Sequence, residues 1–158
     1  MDYATRRKAV YEKTFAELTA AQTKLAIYQV AAPILKSFEG KKITKRIATA
    51  IKDALPEDMV VVLSWSGAGV FSMGHIDIWG GSLGYDHRIH IYLGGPGELS
   101  AEKADISDWI KHTKEYIDRT SSALDNLDSL LVKHDVAMSM LNEAKEDCRN
   151  LEGLDWRI

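Results

Sequence analysis

A single cysteine, Cys148, has no partner for an internal disulfide, so the fold rests on its core. No apolar run approaches the roughly 18 residues that a membrane span needs. The N-terminal MDYATRRKAVYEK is charged and amphipathic where a secretory signal would carry an apolar centre. A soluble cytoplasmic protein without membrane contact is therefore expected, in a bacterial or a host cell. Nucleotide-binding loops are missing too: there is no G-x-x-x-x-G-K-[ST] and no G-x-G-x-x-G opening a helix. The glycine pairs in GGSLG and LGGPG are read as turns that need positive φ. With no G-x-S-x-G elbow, Ser64, Ser66 and Ser72 do not make a hydrolase triad.

What is present suits one domain over 1–158. Apolar residues make up 46% of the 158, enough for a core of ordinary size. The net charge of −3 is unevenly spread. Residues 1–56 carry +6, residues 57–99 carry −4 and residues 100–158 carry −5. A basic N-terminal third suits either nucleic acid or the acidic C-terminal third of the same chain, and the intramolecular use is favoured.

Apolar spacing sets the element order. Residues 1–38 read as one long helix, with Tyr11, Leu18, Leu25 and Ala32 seven apart beside Thr14, Ala21, Tyr28 and Leu35. Pro33 should kink or end it, because it lacks a backbone donor and crowds the carbonyl of Gln29. Ile43, Ile47, Ile51 and Leu55, four apart, predict a short helix over 43–55, stopped by Pro56. Over 59–93 the period changes to two. MVVVLSW, VFSMGHIDIW and RIHIYL form a three-stranded meander joined by SGAG and by a glycine-rich connection. Residues 106–152 read as a second long helix with three apolar rows, among them Ile110, Ile117, Leu124, Leu131 and Met138, with His134 and Cys148 facing inward in another. Gly153 should cap it, with LDWRI as a tail over 153–158. The expected fold is α+β: two long antiparallel helices as a coiled-coil-like stalk, a short helix and a three-stranded antiparallel β-meander head.

The meander holds the candidate site. If Trp65 pairs near Val70, then Met59, Val61, Leu63, Val70, Ile76, Ile78, Ile89, Ile91 and Leu93 share one aliphatic face. The opposite face carries Val60, Val62, Phe71 and Met73 at one side, where a helix could pack. At its other side stand His75, Asp77, Trp79, Arg88, His90 and Tyr92. Symmetric pairing about the glycine connection sets His75 opposite Tyr92, Asp77 opposite His90 and Trp79 opposite Arg88, with Cβ atoms about 5 Å apart.

Three uses fit that face. The His75-x-Asp77…His90 set is similar to the His-x-Asp…His pattern of non-haem iron oxygenases, which resemblance implies a divalent metal with positions open to substrate. The similarity covers three residues, and that family takes its second histidine from a double-sheet barrel for which this chain has too few strands. Trp, Tyr, Arg and His are also the residue types that supply contact energy in protein interfaces. Finally, Asp–His and Arg–Trp pairs can simply finish a wet sheet face. The expected function is a non-catalytic protein-binding module without a cofactor. An inhibitor or adaptor of the kind phages and mobile elements encode would fit, acting through the mixed face or the stalk. A metal-dependent enzyme at His75, Asp77 and His90 is one alternative. A nucleic-acid binder using Arg6, Arg7, Lys8, Lys41, Lys42, Lys45 and Arg46 is another, disfavoured at the sheet because Arg88 is its only arginine or lysine. The wide seam of the second long helix also permits a homodimer.

Overall fold

A computed structural model describes residues 2–66 and 73–151. The chain divides into two compact units: residues 17–118, and residues 1–16 together with 119–158. The elements run α1 (Tyr3–Ser37), α2 (Lys45–Ala54), β1 (Met59–Ser66), β2 (Met73–Gly80), β3 (Ile89–Gly94), α3 (Ala101–Ala104), α4 (Ser107–Asp125) and α5 (Leu127–Leu151). The fold is α+β with one antiparallel sheet in the order β1-β2-β3.

The unit of residues 17–118 is built on the aliphatic face of that sheet. Ile76, Ile78, Ile89, Ile91 and Leu93 are buried there with Met59. Tyr28, Ala31 and Leu35 of α1, Ile43, Ile51 and Leu55 from the α2 region, and Leu99, Ala104 and Ile106 complete the same cluster. The four-residue spacing of α2 thus does what it predicts, with Ile43, Ile51 and Leu55 all buried. Thr44 starts this helix by accepting a hydrogen bond from the Ile47 N–H at 3.3 Å. The helix stops at Leu55, whose backbone is extended ahead of Pro56.

Helix α1 does not end at Pro33; it continues to Ser37. Ala31 and Leu35, on either side of the proline, are fully buried. Their packing holds the turn that the missing N–H would otherwise weaken. The chain then reverses at Gly40, at φ 77°. Its N–H donates to the Leu99 carbonyl at 2.7 Å, and Lys42 pairs with Glu98, tying the exit of α1 to the exit of the sheet.

Two details of the sheet differ from the sequence expectation. Trp65 pairs with Gly74, four positions beyond Val70. An even slip leaves every described side chain on its expected face, so the aliphatic and mixed faces stand for these residues. The second hairpin pairs His75 with Tyr92 and Asp77 with His90 as expected, but its ladder ends at Ile78–Ile89. Arg88 lies outside β3, at the end of a 3-10 turn over Tyr85–His87, and Trp79 pairs across the sheet with Val60. The SGAG turn, Val70 and Phe71 lie outside the described residues, as do Gly153 and the LDWRI tail.

The helix expected over 106–152 is interrupted at Asn126. The Asn126 side-chain amide donates to the Ser122 carbonyl at 2.9 Å, and so does the Asn126 backbone N–H at 3.1 Å. The Leu130 N–H in turn donates to the Asn126 carbonyl at 3.0 Å, so these i→i−4 bonds run on through the interruption. The start also shifts by one residue, because Asp105 accepts from the Ser107 N–H at 2.9 Å.

In the unit formed by residues 1–16 and 119–158, α5 pairs with the start of α1 through charge. Arg6 makes a two-pronged contact with Asp135 at 2.7 and 2.8 Å. Arg7 and Tyr3 both donate to Asp128, at 2.6 and 2.7 Å. The apolar rows here are buried only as far as Thr120, Leu127 and Leu131. From Val132 to Arg149 every described side chain is exposed, so His134 and Cys148, read as inward-facing, lie on the surface.

Candidate binding face and its histidine–aspartate cluster

The mixed face is laid out in cross-strand rows by the register. Ser64, His75 and Tyr92 form one row, and Val62, Asp77 and His90 the next. Val60 and Trp79 follow. Asp77 sits on the central strand and is 1% exposed. Burying a carboxylate costs several kcal/mol unless charge and hydrogen bonds compensate it. Here Arg88 Nε donates to Asp77 Oδ1 at 3.1 Å, and His90 Nδ1 stands 2.6 Å from the same oxygen. Oδ2 faces His75 Nε2 at 3.5 Å.

Around this buried centre the side chains are progressively more exposed. His75, Trp79, Arg88 and His90 are half-buried. Tyr92 is 46% exposed, Met73 46% and Val62 39%. The two imidazole centroids lie 4.9 Å apart, and Tyr92 stands 6.5 Å from His75 and 6.0 Å from His90. The Tyr92 hydroxyl donates to Met73 Sδ at 3.0 Å. Val62 and Met73, read as the side a helix would cover, are open.

Tyr85 was not legible as part of this face, because it lies in the glycine-rich connection outside any alternating run. It is 49% exposed, meets Trp79 edge-on at 5.2 Å, and carries the Arg88 guanidinium 4.1 Å above its ring. The expected Arg–Trp stack is thus replaced by an Arg–Tyr–Trp chain. Trp65, by contrast, lies on the aliphatic side against Gly74 and Gly97.

All six predicted residues therefore occupy one face, in two groups. His75, Asp77, Arg88 and His90 form a polar centre, while Trp79 and Tyr92 flank it. Among the described residues no recorded hydrogen bond joins a serine or cysteine to either imidazole. The cluster's chemistry is that of two imidazoles and one carboxylate, with one donor atom from each within 4.8 Å of the others.

The basic candidates are divided between the two units. Arg6 and Arg7 are bonded to Asp135 and Asp128, Lys8 approaches Glu12 at 3.8 Å, and Lys41 lies over the Phe38 ring at 5.0 Å. Of these contacts, Arg6–Asp135 and Arg7–Asp128 join the basic N-terminal third to the acidic C-terminal third, the intramolecular use of charge that the sequence favours.

No helix of the described residues is long and apolar enough to cross a membrane. No protein-family model, curated protein or solved structure matches the chain.

Proposed function

We propose that the protein is a non-catalytic binding module that receives another protein on the mixed face of its sheet. The observation that carries this reading is the exposure of Val62, Met73, Tyr85 and Tyr92 around a polar centre anchored on buried Asp77. Aromatic, methionine and arginine side chains in one patch are the composition of interface cores. Because Arg88 and His90 already hydrogen-bond Asp77, less side-chain freedom is lost when a partner docks. An inhibitor or adaptor role, of the kind phages and mobile elements encode, suits a chain of this size that exposes Tyr85 and Tyr92 together on one sheet face.

A photo-crosslinking amino acid placed at Tyr92, at Val62, or at Lys133 on α5 as a control tests the reading in cells. Discrete protein adducts are expected from positions 92 and 62 and not from 133. Equal labelling from all three, or none from the sheet, would refute it. Self-association is a second reading, favoured by Val132, Val136 and Met140 of α5, which are 55–64% exposed. It predicts a concentration-dependent mass by sedimentation, lost in Val136→Lys.

A further inference from the structure

The polar centre of the sheet face has the makings of a metal site. His75 and Asp77 are two residues apart on β2, which points both side chains to one side, and His90 lies directly across from Asp77 on β3. The backbone under all three is held in a paired ladder, so the donors are placed before any ion arrives. His90 Nδ1 and Asp77 Oδ1 are 2.6 Å apart, and His75 Nε2 and Asp77 Oδ2 are 3.5 Å apart. An ion held at about 2.0–2.2 Å by nitrogen and oxygen donors sets neighbouring donors roughly 3–3.4 Å apart. The two observed spacings bracket that range, and the three donors lie within 4.8 Å of one another, so the two imidazoles must turn towards each other for one ion to reach both.

The surroundings fit as well. Arg88 Nε on Asp77 Oδ1 holds the carboxylate plane from the outside, as outer hydrogen bonds do at metal centres. Tyr92 stands beside both imidazoles. The half-buried state of the two histidines leaves room for water on the solvent side. The guanidinium charge of Arg88 opposes a cation and limits affinity, which argues for a transition metal that imidazole binds well over magnesium or calcium.

We propose that His75, Asp77 and His90 bind one divalent first-row transition-metal ion on the sheet face. The ion binds His90 through Nδ1, and the ring stays a neutral imidazole by carrying its hydrogen on Nε2. The site goes beyond the protein-binding reading, which does not depend on it.

The test uses the untagged full chain, stripped with chelator and titrated with Co²⁺ alone and then with Zn²⁺ alone. The expected result is a visible Co²⁺ absorption band that saturates at one equivalent and disappears when Zn²⁺ displaces the cobalt. His75→Ala and His90→Ala should each weaken binding by more than the about 10–100-fold that losing an outer partner costs. His112→Ala and His134→Ala should leave it unchanged. Absence of uptake, or uptake that survives both site variants, would overturn the proposal. Should a site variant fail to fold, imidazole ¹⁵N spectra of the wild-type chain decide. Of the five histidines, His75 and His90 should shift with Zn²⁺, whereas shifts confined to His87, His112 or His134 overturn the site.

Discussion

Replacing Gly74 by alanine isolates one contact that shapes the edge of the sheet. A Cβ built on Gly74 would lie 2.6, 2.8 and 2.9 Å from Cζ3, Cη2 and Cε3 of Trp65, whereas ordinary contact begins near 3.4 Å. The nearest ring carbon must therefore retreat by about 0.8 Å, the difference between those two distances. Overpacking of this size costs about 1–3 kcal/mol. Two effects reduce it. Trp65 is 46% exposed, so part of its ring faces solvent and can yield on that side, and alanine restricts the unfolded chain, which returns about 0.4–1 kcal/mol. Gly74 is not among the glycines with left-handed backbone, so backbone strain does not enter. The net expected loss is about 1 kcal/mol. In a Trp65→Ala background the clash is gone and Gly74→Ala should be neutral or stabilise by up to about 1 kcal/mol. The coupling, about 1–2 kcal/mol, exceeds the roughly 0.3–0.5 kcal/mol within which independent sites add. Urea unfolding of the four proteins by circular dichroism measures it. An equal penalty in both backgrounds would show that the indole does not rest on Gly74.

Further outcomes follow from the same contacts. Asp77→Ala leaves Arg88 and His90 without their shared acceptor and should cost about 3 kcal/mol in urea unfolding; a loss under about 1 kcal/mol would mean that the pair is not formed in solution. The Arg7 and Tyr3 hydrogen bonds hold the Asp128 carboxyl down at about 2. That contribution is complete above the ordinary 3.8 and disappears as pH falls towards 2, with Asp135 following in the same direction through Arg6. A carboxyl ¹³C titration of Asp128 with its midpoint near 3.8 instead would contradict the pairing. Asn126→Ala puts a better helix former between α4 and α5 and should raise stability by about 0.5 kcal/mol, read from the urea midpoint. A loss of stability would show that packing requires the interruption.

Much of the fold could be read from periodicity because burial imposes it. The alternation of Ile76, Ile78, Ile89 and Ile91 with polar residues assigned both faces of the sheet, and the four-residue spacing of Ile43, Ile47, Ile51 and Leu55 located α2. A shift of pairing by four residues leaves alternation unchanged, so the Trp65–Gly74 register was not visible. Alternation also gives a side chain's face and not its depth. Asp77 reads like any solvent-facing acid, yet the neighbouring His75, Arg88 and His90 enclose it. Helical spacing has a matching weakness. The heptad rows run on past Leu131 into Met138 and Leu141, but a row states what could be buried and not whether anything lies against it. Pro33 does not end its helix, and the interruption at Asn126 has no counterpart in the pattern. Fully buried neighbours carry the helix through the proline, while nothing in the apolar spacing marks the interruption at the asparagine.

The partners that join α1 to α5 are far apart along the chain; Arg7 and Asp128 are separated by 121 residues. At about 5–20 residues per second a ribosome needs roughly 6–24 s to deliver the second after the first. The unit of residues 17–118 contains all of its own core and can close during that interval. The stretch 3–16 cannot, and Arg6 and Arg7 wait for Asp135 and Asp128 until α5 emerges. Maturation of this protein is thus timed by translation: the sheet with its polar centre is complete first, and the paired helices close last.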